Sequence, residues 1–145
     1  MTLCTGLAIL GLCFPLPGTT RTEIEAAGWR VREEDAGRWW KSGWFSAGTY
    51  RVLAGVSGQK DRLQALIIAE PQSEYPQLKP LLDKHCSSGD GTILACRLAG
   101  RDLSAMRCLG GWMITAKGVA GRDPTLREQC EKLAPLFEEV LKEKK

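Results

Sequence analysis

The 145-residue chain has a single histidine, His85, and contains no Cys-x-x-Cys pair, no Gly-x-Ser-x-Gly elbow and no His-Glu-x-x-His helix. The spacings of zinc ribbons, zinc proteases and α/β-hydrolases are therefore missing, and those chemistries are excluded. No run of five like charges occurs, and 20 basic against 17 acidic residues leave a net charge of only +3. A composition this mild does not by itself announce a nucleic-acid binder, whose basic residues usually cluster. No apolar run reaches the ~20 residues that a bilayer span needs. Sequence repeats and low-complexity linkers are absent as well, and a chain of this length has room for one domain.

What is present begins with an uncharged N-terminus. Residues 2–16 are rich in leucine and end at Pro15, Pro17 and Gly18. Such a stretch suits the apolar region of a signal peptide, although no Lys or Arg precedes it and no Ala-x-Ala site follows. Residues 1–19 are thus expected to be a signal peptide or apolar anchor, and residues 20–145 the domain. The protein would then work in the periplasm or outside the cell, held at the membrane if the segment is not cleaved. A lipid anchor at Cys13 is disfavoured, because Leu-Gly-Leu precedes it instead of a small residue. The competing reading of residues 1–19 is a buried N-terminal helix or strand.

With Cys4 and Cys13 assigned to the leader, Cys86, Cys96, Cys108 and Cys130 remain for the domain. Four cysteines in an oxidising compartment suit two disulfides, with three possible connectivities. Cys86–Cys96 with Cys108–Cys130 is preferred, since each bridge joins neighbouring elements. His85 beside Cys86 suggests a nucleophile pair only weakly, because catalytic partners usually meet across a fold.

Alternation and turn residues outline the elements. A short strand is expected at Trp29–Arg32. Strands Thr49–Gly55 and Arg62–Ala69 are joined by the turn-rich Ser57–Asp61. Ser73–His85 reads as a helix, Ser87–Gly91 as a turn and Thr92–Leu98 as a strand. Asp102 is placed to cap a short helix carrying Leu103, Met106 and Leu109 inward and stopping at Gly110-Gly111. Trp112–Ala116 is extended. A last helix opens at Asp123-Pro124 with Thr125 and Glu128 as a capping box, and carries Leu126, Cys130, Leu133, Phe137, Val140 and Leu141 on one side.

The stretch Thr92–Thr115 resembles the late part of staphylococcal-nuclease-like (thermonuclease family) domains. The matching residues are Cys96, Gly100, Asp102, Leu103, Gly111 and Trp112. The order of elements matches over residues 73–142, but motif-level identity covers only residues 96–112. The resemblance implies an α+β fold, with a small OB-like β-barrel and two or three packed helices. That barrel is complete only if residues 20–70 supply its remaining strands. It also implies structural roles: Gly100 as a turn, Asp102 as a cap and Trp112 as core.

The family's chemistry uses Ca²⁺-binding carboxylates, a general-base glutamate and two arginines. Its Asp-Gly-Asp-Thr, Arg-Leu-x-Gly-Ile-Asp-x-Pro-Glu and Asp-Arg-x-Gly-Arg segments are all missing here. Asp90 in Gly89-Asp90-Gly91-Thr92, with Arg51 and Arg62 on the hairpin, are the weak substitutes. The expectation is a domain that has lost catalysis and serves as a binding or interaction module, without a resident metal. A divergent Ca²⁺-dependent nuclease is the alternative.

Of five tryptophans, Trp39, Trp40 and Trp44 form the candidate binding cluster, able to stack on bases or sugars or to meet a partner protein. Their competing role is to anchor the core. A third reading, an unrelated periplasmic inhibitor or envelope protein, also rests on this cluster. Nucleic acid and an envelope protein are the partners to consider, and a monomer is expected. Glu33, Glu34 and Asp35 read as a solvated acidic surface.

Overall fold

A computed structural model describes residues 4–33, 35–70, 77–88, 93–108, 111–117 and 131. Strands dominate. β1 (Leu7–Ile9) and β2 (Leu12–Phe14) form a hairpin, followed by α1 (Arg21–Ala26), β3 (Arg32–Glu33), β4 (Arg38–Ala47), β5 (Tyr50–Gln59) and β6 (Arg62–Ala69). Then come α2 (Leu78–His85), β7 (Cys86–Ser88), β8 (Leu94–Leu98), β9 (Arg101–Cys108) and β10 (Gly111–Ala116). Among the described residues the fold is α+β, with two small helices on a predominantly antiparallel sheet.

The eight strands β3–β10 make one sheet in the order β3-β4-β5-β6-β10-β9-β8-β7. Strands β3 and β7 lie at opposite ends, so among the described residues the sheet is open and no closed barrel forms. The order also reveals a duplication that the amino-acid sequence hides. Each half runs helix, then four antiparallel strands, and the halves meet through their last strands, with Leu66 opposite Ile114 and Ile67 opposite Met113. Both helices pack into the same core, on one face of the sheet.

That face carries the larger core. Ile24 of α1 and Leu78 and Leu82 of α2 are buried with Val52, Val56, Leu66, Ile68 and Ile114 of the sheet. Thr20 caps α1 through a full capping box with Glu23, a local signal within the stretch that reads as mixed from sequence. The opposite face buries Leu53, Ala65, Ile67, Ala69, Cys108 and Met113, with Trp40, Trp44 and Met106 packed against them. Because both faces of β5, β6 and β10 are buried, these strands read as near-continuous apolar runs, unlike strands with one solvated face.

The N-terminal segment, expected to stand apart from the domain, packs into it. Leu7, Ile9, Phe14 and Leu16 all belong to the larger core. Cys4 and Cys13, assigned to a leader, are disulfide-bonded across the β1–β2 hairpin. Gly18 N–H donates to the Leu63 carbonyl at 3.0 Å, and Leu63 N–H donates to that of Thr19 at 2.9 Å, so the segment runs beside the start of β6. Apolar length and missing charge suit a leader and a buried hairpin equally. The β1–β2 turn at Leu10-Gly11, where both φ angles are positive, favours the hairpin.

Asp102 is not a helix cap. No helix follows it; Arg101–Cys108 is strand β9. Leu103 and Met106 have helical spacing, but Leu103 and Ala105 alternate equally well and are buried on one face. The two-residue turn Ala99-Gly100, again with both φ positive, folds β9 directly back on β8. Asp102 therefore caps nothing and instead pairs with Arg97 at 2.9 Å on the surface. Such an exposed pair contributes little to stability. The expected helix start at Ser73 and the last helix from Asp123 fall outside the described residues.

Candidate functional site

The three weak catalytic candidates do not form a constellation. Asp90 lies outside the described residues. Arg51 is the second residue of β5, whereas Arg62 starts β6 and pairs with Gln59 at the far end of the same hairpin. Eight residues of extended chain separate the two ends, about 26 Å at ~3.3 Å per residue. Each arginine also has a local task. The Arg51 guanidinium lies 4.8 Å from the centre of the Trp44 ring. Arg62 donates to the Gly18 carbonyl at 2.8 Å and holds the N-terminal segment against the sheet. Among the described residues, no three His, Cys, Asp or Glu side chains gather as a metal site would require. His85 ends α2, and its neighbour Cys86 is tied up in a disulfide, so no thiolate pairs with the imidazole.

The tryptophan cluster is divided by the pleat of β4. Trp39 points to the helix side and is 1 % exposed, its indole N–H donating to the Lys60 carbonyl at 2.9 Å. It is a core residue, and its place among the binding residues is withdrawn. Trp40 and Trp44 point to the other side and are half-buried against Leu53 and Ile67. Trp112 is also half-buried, its ring covered at 4.7 Å by the guanidinium of Arg107 on β9.

The cysteines staple the periphery. Cys86 and Cys96 sit opposite each other on β7 and β8, with Cα atoms 4.0 Å apart, and are bonded. Cys108 is disulfide-bonded as well. Cys130, its expected partner, lies outside the described residues.

A different site emerges at the β3 end of the sheet. The chain leaves α1 through Gly28 and Trp29, then runs toward β3 while diverging from β4. The gap is a cleft of about 240 Å³ between residues 27–30 and Lys41–Phe45. A second cleft of about 440 Å³ adjoins it, walled by Arg30, Arg32, Trp40, Lys41 and Ser42. The aromatic residues of the first cleft are interlocked: Phe45 packs on Trp29 at 5.0 Å and edge-on against Phe14 at 5.3 Å.

Arg30, Arg32 and Lys41 give this cleft a positive charge. Glu33, next to Arg32 on β3, is paired with Arg21, its Oε1 2.8 Å from Arg21 Nη1. Hydrogen bonds to Glu25 and then to Glu33 hold the Arg21 guanidinium above its ordinary pKa. Of the residues singled out from sequence, only Trp40 reaches the cleft. Arg30, Arg32 and Lys41 were missed because they are scattered along the chain and form no run; β3–β4 pairing, with Arg32 opposite Trp40, brings them together.

Comparison with protein-family models, curated proteins and solved structures finds no match for this chain.

Proposed function

We propose that this protein is a disulfide-stabilised binding module, acting outside the cytoplasm and recognising an anionic partner through the cleft beside β4. The observation that carries the reading is the convergence of Arg30, Arg32 and Lys41 around Trp40 in one open cleft. Cations grouped over a low-dielectric apolar wall attract anions more strongly than the same charges dispersed over a surface. The bonded pairs Cys4–Cys13 and Cys86–Cys96 support an oxidising compartment. No helix among the described residues is long and apolar enough to cross a membrane.

The resemblance to staphylococcal-nuclease-like domains, with the OB-like barrel it implies, enters this reading as an ancestry in which cleavage has been lost. Loss of cleavage is supported by the separation of Arg51 and Arg62, which could not act on one phosphate together.

The test uses the full oxidised chain with labelled single-stranded DNA, RNA and acidic peptides, with Ca²⁺ or with chelator. Binding without cleavage, weakened by salt and by Arg32→Glu or Lys41→Glu, is the expected result. Chelator-sensitive cleavage lost on changing Asp90 and Arg51 would replace this reading with the divergent nuclease.

A further inference from the structure

We infer that the two adjoining clefts beside β4 form one binding site for a small organic acid, its carboxylate held by Arg30 and Lys41 and its apolar body lying beside Gly43. The inference rests on the binding-module reading above and names the chemical class of the anion.

Gly43 is the residue that points to a ligand. It lies in the middle of β4, where glycine weakens a strand and marks either a bulge or the close approach of another group to the backbone. Pairing of β4 with β5 runs from Arg38 to Ala47 without a shift of register, so Gly43 does not sit at a bulge. Nor does another part of the chain crowd it: among the described residues, no atom lies within 4 Å of the place its Cβ would take. Gly58 and Gly111 differ, since a Cβ at Gly58 would strike the Trp39 ring and one at Gly111 the Ile68 carbonyl. The bare position at Gly43 opens into the first cleft, which it lines.

The two parts of the site differ in chemistry. Lys41 pairs with Val56, Gly43 with Ala54 and Phe45 with Val52, all of the larger core, so these three residues of β4 share the helix face. Trp29 packs on Phe45 and Phe14 meets Phe45 edge-on, which fixes an apolar surface in place. Arg30 and Lys41 line both clefts and so stand where this surface meets the cleft of Arg32 and Trp40. Among the described residues no carboxylate lines either cleft. An apolar surface ending in a few convergent polar groups is the usual make-up of a small-molecule site. A cavity of about 150 Å³ is enough for benzene, so the 240 Å³ beside Gly43 takes a single ring or a short chain. Lys41 stands two residues from Gly43, about 7 Å along the strand, a span that a ring and a carboxylate two carbons apart can cover. A long polyanion would use the same charges but leave the apolar space beside Gly43 empty.

The decisive experiment adds phenylpropionate to the full oxidised chain and follows backbone amides by NMR. The uncharged phenylpropionamide, and acetate, which lacks the ring, are the other two probes. Phenylpropionate is expected to bind saturably, with a dissociation constant on the order of 1 mM or below, and to shift residues 28–30 and 41–45. The amide should bind about tenfold more weakly, and acetate should not saturate. Gly43→Val puts a branched side chain into the open space, so binding should be lost while the melting temperature holds or rises. Gly43→Ala should weaken binding less than Gly43→Val, and Lys41→Gln, at an exposed side chain, should weaken it about threefold or more. Equal affinity for the amide, undiminished binding by the Gly43 variants, or shifts confined to other residues overturns the inference. If phenylpropionate does not bind but acidic peptides or oligonucleotides do, and lose affinity with Arg32→Glu, the inference falls and the anion-binding module stands. Binding of none of these overturns both.

Discussion

The phenol of Tyr50, at the start of β5, donates a 2.5 Å hydrogen bond to the carboxylate of Glu70, the residue following β6. The same carboxylate accepts from the backbone N–H groups of Gln77 at 2.6 Å and Leu78 at 3.0 Å. One side chain therefore ties two central strands to the start of α2, whose own N-cap residue, Gln77, makes no capping bond with its side chain. These N–H groups have no acceptor within the helix, so Glu70 satisfies donors that would otherwise be left open. Glu70→Ala should destabilise the fold by about 1–3 kcal/mol and Tyr50→Phe by about 1 kcal/mol, both measurable by urea denaturation.

The same pair sets an alkaline limit. Burial first, then the hydrogen bond to Glu70 and its negative charge, raise the pKa of Tyr50 well above the ordinary tyrosine value. A group whose pKa is raised by folding contributes stability that is complete below its unfolded pKa, about 10 for tyrosine, and is lost as pH rises through the folded value. Stability should therefore fall above about pH 10, and the fall should be shallower in Tyr50→Phe. Equal slopes in wild type and variant, followed by denaturation from pH 8 to 11, would refute the assignment.

Gly58 faces the indole of Trp39, and a Cβ there would overlap the ring. Trp39 is locked by its bond to the Lys60 carbonyl and by core packing, so it has little freedom to move aside. Gly58→Ala is expected to cost about 1–3 kcal/mol through overpacking. Relief by the pair Gly58→Ala with Trp39→Leu, seen as a non-additive thermal shift, would identify the clash as the cause.

Arg101 reaches across the sequence to the N-terminal segment, donating to the carbonyls of Leu16 at 3.2 Å and Pro17 at 2.8 Å. With Leu7, Ile9, Phe14 and Leu16 in the core, a chain beginning at Thr20 loses four buried side chains worth about 1.5–3 kcal/mol each. Their sum is comparable to the whole stability of a typical domain, about 5–15 kcal/mol. That shortened chain should show no cooperative unfolding transition by circular dichroism. A sharp transition at the full-length temperature would show that the segment is dispensable.

The Cys86–Cys96 bridge closes a short loop between two peripheral strands. Replacing both residues by alanine should lower stability by about 2–3 kcal/mol in the chain-entropy account. Urea denaturation of the double variant beside the oxidised wild type measures it.

The duplicated architecture explains where sequence reading succeeded and where it failed. Arg62–Ala69 was legible as a strand to its last residue, and the β5–β6 hairpin was legible from its turn, because both signals lie in consecutive residues. The aromatic stretch Trp39–Phe45 did not read as a strand. β4 has partly buried side chains on both faces and Gly43 in its middle, so simple alternation of apolar and polar is blurred. The candidate cleft was less legible still, since its three cations become neighbours only through strand pairing.

The sequence by itself determined the features whose physics is local. These are a hairpin turn before Arg62, the turn around Gly100, the apolar character of β6 and the availability of Cys86 and Cys96 for a bridge. The structure narrows the first from the expected Ser57–Asp61 to Lys60-Asp61, because Ser57–Gln59 extend β5. Only the tertiary structure decided that residues 7–16 join the core and that residues 101–108 extend instead of coiling. It alone paired β6 with β10 and brought Arg30, Arg32 and Lys41 together around Trp40. A turn is chosen by the φ angles its own residues tolerate. A strand is chosen by a partner far along the chain, whose hydrogen bonds and buried face outweigh the small differences in local propensity.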